Sequence, residues 1–149
     1  MLTIYTDGSC WPNPSDNGGW AFVVYDGERE VHALSGTAEG ATSNNRMEMT
    51  AMLRALMWLG DRPATLYTDS RYVVDGANSW SKTWVRNGWQ RRDKETKQWL
   101  PVMNADLWQV LLAARMKQHR TAWCRGHAGI VGNERADRLA EAARMGVAA

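Results

Sequence analysis

Two stretches of the 149-residue chain echo each other: Tyr5-Thr6-Asp7-Gly8 and Tyr67-Thr68-Asp69-Ser70 each place a carboxylate directly after a strand-like run. In open α/β sheets, reactive groups gather outside the carboxyl ends of strands, at topological switch points. Neighbouring strands lie about 4.8 Å apart. Asp7 and Asp69 on adjacent parallel strands would therefore be close enough to share a metal ion, and would repel without one. Two further acids can join them. Glu48 falls in the first turn of the first long helical pattern, and Asp137 borders the apolar stripe Ala136, Leu139, Ala140 and Ala143 of the last. An all-oxygen donor set with no sulfur suits the hard cations Mg²⁺ and Mn²⁺. Two such ions about 3.5–4 Å apart clamp the attacking and leaving oxygens of an in-line phosphoryl displacement.

Taken singly, each of these residues has a plainer reading. An Asp after a strand is a common turn residue. Glu48 stands three positions after Asn45, the spacing of a capping box. Asp137 can serve the positive end of a helix dipole. His127, in Gly126-His127-Ala128-Gly129, reads as a surface histidine and Cys10 as a half-buried thiol. The chemistry depends on the acids converging in space.

The elements that would bring them together can be read from period and punctuation. Leu2–Thr6 is a short strand, and residues 8–19 form a loop rich in Gly, Pro, Asn and Asp. Gly19–Tyr25, apolar on both faces, reads as a central strand. Asp26-Gly27 is a hairpin turn returning through Glu30–Ser35. The pattern predicts a helix over Asn44–Leu59, a strand over Ala64–Thr68 and weak helix over 71–78 and 79–87, stopped by Gly88. It leaves 89–103 irregular and charged. A helix is expected over Asp106–Lys117, a strand over Gln118–Cys124, a glycine-rich loop over 126–132, and a last helix capped by Asn133 and running to Arg144. Strands alternating with helices make an α/β fold with a mixed sheet. The length fits one domain able to stand without staples. Cys10 and Cys124 are too far apart in sequence to suggest a disulfide framework or a zinc site. No run approaches a membrane span and the N-terminus carries no signal pattern, so the expectation is a soluble cytoplasmic protein. The net charge is only +2, yet residues 80–100 alone carry +4, from Lys82, Arg86, Arg91, Arg92, Lys94 and Lys97 against Asp93 and Glu95. Such asymmetry suggests a polyanionic partner.

Four blocks in order carry a resemblance: Thr6-Asp7-Gly8-Ser9-Cys10, Thr42-Ser43-Asn44-Asn45-Arg46-Met47-Glu48, Thr68-Asp69-Ser70-Arg71-Tyr72-Val73, and Gly126-His127-Ala128-Gly129 followed by Asn133-Glu134-Arg135-Ala136-Asp137. Together they resemble ribonuclease H type 1 of the bacterial kind, over about residues 2–145. The resemblance implies the ribonuclease H fold: a five-stranded mixed sheet, second strand antiparallel, helices on both faces. It implies endonucleolytic hydrolysis of the RNA strand of RNA/DNA hybrids by two-metal-ion chemistry, leaving 5′-phosphate and 3′-hydroxyl ends. Mg²⁺ is the implied cofactor, with Mn²⁺ as a substitute. Asp7, Glu48, Asp69 and Asp137 would be the metal-binding carboxylates, and His127 would assist proton transfer or product release.

The same resemblance assigns hybrid contacts to Cys10, Asn13 and Asn44 near the scissile bond. Ser43 and Asn104 match a DNA-phosphate pocket, and Arg71 a further contact. Residues 80–100 match a basic protrusion in which Trp84 packs on the DNA backbone while Lys82 and Arg86 project from it. The plainer reading of its tryptophans is a small satellite core. The chain departs from the family pattern in three places. The loop Pro12–Gly19 is one residue longer, Ala41 stands where an arginine often supports the phosphate pocket, and 92–103 is longer and carries Trp99. The expectation is a single catalytic domain over 1–149, working as a monomer without an obligatory protein partner. The rivals are a hybrid-binding module without catalysis and a DNA-acting enzyme of the wider superfamily, such as an integrase or junction resolvase.

Overall fold

The computed structural model describes residues Met1–Ala149. Its strands and helices are β1 (Leu2–Cys10), β2 (Gly18–Asp26), β3 (Arg29–Thr37), α1 (Asn44–Leu59), β4 (Ala64–Thr68), α2 (Arg71–Asp75), α3 (Ser81–Arg86), β5 (Gln90–Arg92), β6 (Trp99–Pro101), α4 (Ala105–Ala114), β7 (His119–Trp123) and α5 (Val131–Met145). A π-helical turn, Gly76–Trp80, joins α2 to α3. The main sheet has the order β3-β2-β1-β4-β7. β1 pairs antiparallel with β2 and parallel with β4, and β4 is parallel to β7. The expected five-stranded mixed sheet with helices on both faces is present. The order reverses at β1, which places a switch point between β1 and β4.

Alternation along the strands explains the layers. Phe22 and Val24 on β2, Ile4 on β1 and Leu66 on β4 face α1 and α4, where Met49, Met52, Leu56, Trp108 and Leu111 complete the larger core. Val23 and Tyr25 turn the other way and meet Ala136 on α5, with Tyr5 and Leu139 beside them. β2 is buried from Gly18 to Tyr25, as its two-sided apolar sequence requires. Full burial of each large apolar side chain contributes about 1.5–3 kcal/mol. The two faces therefore hold the sheet rigid beneath whatever its strand ends carry. No helix is long and apolar enough to cross a membrane.

Several local expectations need correction. β1 continues past Asp7 to Cys10, because β2 pairs with it along its whole length, from Leu2 opposite Asp26 to Cys10 opposite Gly18. Asp7 thus lies within the strand rather than after it. The N-cap of α1 is Ser43, whose hydroxyl accepts the Arg46 backbone N–H at 3.2 Å, so no box forms between Asn45 and Glu48. The helix expected to reach Lys117 ends at Ala114. α5 begins at Val131, two residues before its supposed cap Asn133. Segment 89–103 is ordered: β5 and β6 form an antiparallel hairpin with Arg92 opposite Trp99.

Candidate active site

The acids converge. Ligand oxygens of Asp7, Glu48 and Asp69 lie within 4.8 Å of one another. Asp137, on α5, is near enough to raise the Asp7 carboxyl, but it lies outside the group of three whose oxygens approach one another this closely. Local packing explains the approach. Gly8 has no side chain because a Cβ there would overlap the backbone of Met47 and Glu48. β1 therefore touches the first turn of α1 directly and brings Glu48 against Asp7. The parallel register Tyr5 opposite Tyr67 carries Asp69 to the level of Asp7, two residues further on.

The electrostatics of the cluster are adverse while it is bare. Burial, followed by the charges of Asp69 and Asp137, pushes the Asp7 carboxyl up to about 7 despite a favourable bond from Glu48. Burial and the Asp7 charge push Glu48 well above the usual carboxylate range. The Thr68 hydroxyl donates to Glu48 Oε2 at 3.4 Å. Carboxylates this crowded and partly dry share protons unless a cation joins them. A small, all-oxygen donor set is what Mg²⁺ and Mn²⁺ take, so the residues present fit the divalent ion.

Asp69 is held from three sides, and sequence reasoning missed two of the groups. The buried Asn133 side chain donates to Asp69 Oδ2 at 3.3 Å. Its type and its place before an apolar stripe predict a helix cap instead. The Trp123 indole N–H donates to the Asp69 carbonyl at 3.2 Å, and the Arg71 guanidinium lies over the Trp123 ring, 4.1 Å from its centroid. On the third side, a Cβ on Gly126 would sit 2.6 Å from Asp69 Oδ2. The next residue, His127, is exposed on this loop with φ 53°.

The predicted binding residues form two hydrogen-bonded groups, each tied to the first turn of α1. On one side the loop after β1 is tied down. Cys10 N–H donates to Asn44 Oδ1 at 2.7 Å, and Asn44 N–H donates to Asn13 Oδ1 at 3.0 Å. The buried Cys10 thiol turns back to the Pro12 carbonyl at 3.2 Å. This extra-long loop is further pinned by paired backbone bonds between Ser15 and Thr42, 2.7 and 3.2 Å long. On the other side Asn104, in left-handed backbone, accepts from Arg46 at 3.2 Å and donates to the Tyr72 hydroxyl at 3.1 Å. Arg46 also forms a two-pronged pair with Asp106 at 3.0 and 3.1 Å. An arginine therefore does stand beside Asn104, supplied by α1 rather than by position 41. Its signal lay inside the Asn44–Glu48 block.

Trp80, Trp84 and Trp89 of the protrusion are not a separate cluster. Trp84 contacts the fully buried Trp108, with ring centroids 5.5 Å apart, and also Trp80 at 5.9 Å and Trp89 at 6.1 Å, so it extends the main core outward. Lys82 and Arg86 stand exposed on α3.

The sheet and the acid cluster at its switch point define a class: α/β proteins with a carboxylate cluster able to hold a metal ion where two parallel strands part. Comparison with known proteins narrows it. The RNase H family pattern matches residues 1–145. A curated ribonuclease H from Cyanothece sp. is 47% identical over 146 residues, covering 96% of this chain and 88% of that protein. One from Dechloromonas aromatica is 48% identical over 143 residues, covering 93% and 90%. Among solved structures, LC9-RNase H1, described as a type 1 RNase H with the type 2 active-site motif, superposes with a TM-score of 0.78 at 31% identity, over 99% of this chain and 73% of that one. LC11-RNase H1, solved in complex with an RNA/DNA hybrid, shares the fold at 22% identity and a TM-score of 0.68, over 98% of both chains. The chain belongs to the RNase H family.

Proposed function

We propose that this chain is a divalent-cation-dependent endoribonuclease that hydrolyses the RNA strand of RNA/DNA hybrids, leaving 5′-phosphate and 3′-hydroxyl ends. The observation that carries the reading is the convergence of Asp7, Glu48 and Asp69 within 4.8 Å at the switch point of a family-typical sheet. Asp7, Glu48, Asp69 and Asp137 would hold the cation, Mg²⁺ with Mn²⁺ as substitute. When bound, the divalent ions would offset the charge of the phosphodiester and assist the attack of water on it.

The protein's own residues divide the remaining work. Asn133 orients the Asp69 carboxylate and Trp123 holds its backbone carbonyl, while the missing side chain at Gly126 leaves room for Oδ2. The exposed His127 imidazole on the adjoining loop would assist proton transfer or product release. Lys82 and Arg86 bind DNA phosphates along the protrusion that Trp84 anchors, and Ser43 and Asn104, with Arg46 behind them, receive a further phosphate. Phosphate contacts do not distinguish RNA from DNA. That choice falls to the pinned loop carrying Cys10 and Asn13, together with Asn44 and Arg71, which would meet the 2′-hydroxyls and the groove of the hybrid.

All four acids come from one chain, so the reading needs no second protomer. It treats residues 1–149 as one catalytic domain acting as a monomer. It takes the cytoplasm as its setting, where the free thiols Cys10 and Cys124 stay reduced. The test offers labelled RNA/DNA hybrid, double-stranded RNA and duplex DNA, each with Mg²⁺ and with EDTA. Cleavage of hybrid RNA alone, and only with metal, is expected. Binding without cleavage would assign a silent hybrid-binding module, and cleavage of duplex DNA would assign a DNA-acting enzyme.

A further inference from the structure

The hairpin β5–β6 is used by neither the acid cluster nor the phosphate-binding face of α3. It is well built. Asp93 Oδ2 accepts the Thr96 backbone N–H at 2.8 Å and its hydroxyl at 2.9 Å, closing the turn. The Asp93 N–H donates to the Gln98 carbonyl at 2.8 Å, and the Val102 N–H donates to the Trp89 carbonyl at 3.0 Å, tying down the base. This fixed platform presents one aromatic side chain to solvent, Trp99, 50% exposed. Trp99 borders an open cleft of about 460 Å³, whose other lining residues are Arg86, Asn87, Gly88 and Gln90.

An exposed indole destined for a protein partner is usually ringed by other apolar groups. Here the surroundings are a guanidinium and two carboxamides, on a hairpin carrying Arg91, Arg92, Lys94 and Lys97 against Asp93 and Glu95. Arg92, the cross-strand partner of Trp99, lies 5.9 Å from the ring centroid and braces it. The walls thus combine a flat π surface, donors and acceptors able to meet a heterocycle edge, and positive charge for a phosphate. A base within a duplex has both faces covered by its neighbours, so it cannot stack on Trp99. An unpaired base can.

We propose that this cleft binds an unpaired nucleobase, stacked on Trp99, from a single-stranded tail adjoining the hybrid. The hairpin makes tailed hybrids better ligands than blunt ones. This rests on the reading of the chain as a hybrid-cleaving enzyme; the cleft shares Arg86 with the phosphate-binding face of α3, and Trp99 is the part of it that a blunt hybrid does not need.

The experiment measures binding by fluorescence anisotropy at fixed salt, with Asp69→Asn as the background so that nothing is cleaved. The probes are a blunt hybrid and the same hybrid with an oligothymidine tail of about eight nucleotides at the 5′ or the 3′ end of the DNA strand. A tail at one of these ends is expected to tighten binding about five- to tenfold, in line with stacking of a single base. Adding Trp99→Ala should erase that gain and leave blunt-hybrid affinity unchanged, while Trp99→Phe should retain most of it. Equal binding of tailed and blunt probes would overturn the proposal. So would a gain that survives Trp99→Ala, because cations alone would then hold the tail. Cleavage of blunt hybrid by the otherwise wild-type chain, and by its Trp99→Ala variant, is measured alongside. If the wild type cleaves blunt hybrid and tails add nothing, the cleft assignment fails and the enzymatic reading stands. If no hybrid is cleaved, the enzymatic reading itself fails.

Discussion

Replacing Asp7 with Asn should make the metal-free protein more stable at alkaline pH while abolishing cleavage. The sign follows from the direction of the shift. The Asp7 carboxyl rises from 3.8 in the unfolded chain to about 7 in the fold, chiefly through burial and then through the charges of Asp69 and Asp137. Protonated Asp7 is therefore favoured in the native state. Its contribution is fully present below about pH 3.8 and is lost as pH climbs through about 7. A difference of that size corresponds to roughly 4 kcal/mol. Asparagine keeps the shape and removes the charge. Water entry and rearrangement around Glu48 would reduce the difference, leaving an expected gain of about 2–4 kcal/mol at pH 8 in EDTA. For a domain of this size that is a rise in Tm of about 5–12 °C. The assay is urea and thermal unfolding of both proteins in EDTA at pH 5 and 8, repeated at pH 8 with millimolar Mg²⁺. The wild type should lose stability between pH 5 and 8 and recover part of it with Mg²⁺, because a bound ion relieves the repulsion and stabilises by mass action. Asp7→Asn should lose less and respond weakly to the ion. Parallel pH curves for the two proteins, or a wild-type midpoint indifferent to Mg²⁺, would refute the reasoning.

Other expectations rest on separate contacts. Asn133→Ala frees Asp69 Oδ2 on one side, so metal affinity or kcat should fall about 10–100-fold, as is usual for a group that orients a ligand; an unaltered Mg²⁺ titration would remove Asn133 from that role. His127→Ala should slow turnover far less than Asp69→Asn, and comparable losses would make the histidine as central as the acids. Replacing Lys82 and Arg86 together by Ala should raise KM more than it lowers kcat. It should also flatten the plot of log affinity against log salt by about 1–2 in slope, and an unchanged slope would take α3 off the contact surface.

The convergence of Asp7, Glu48 and Asp69 was legible in the sequence because the two Tyr-Thr-Asp runs echo one another and Glu48 opens a periodic helix, even though Asp7 lies within its strand rather than after it. The sheet followed from the two-sided burial of β2 and the Asp26-Gly27 turn. What escaped depended on tertiary pairing. The extension of β1 through Asp7 to Cys10 exists because β2 offers a partner along its full length, and no local signal marks it. The β5–β6 hairpin lacks apolar alternation. Its register comes from the turn between Asp93 and Thr96 and from one cross-strand contact, Arg92 with Trp99, which looks like solvated charge in one dimension. Asn133 has a capping residue's type and position, and only the proximity of β4 reveals that its amide serves Asp69. Arg46 was visible as a letter within a motif, but its reach to Asn104, across 58 positions, was not.

The central claim is that these acids hold a divalent cation where a phosphodiester can meet it. Manganese soaked into crystals of the wild type and of Asp69→Asn, and located by anomalous scattering, tests this directly. Mn²⁺ is expected at inner-sphere distance, about 2.0–2.3 Å, from the carboxylates of Asp7 and Asp69 in the wild type, and none there in the variant. Manganese bound elsewhere, or bound equally well without the Asp69 carboxylate, would contradict it.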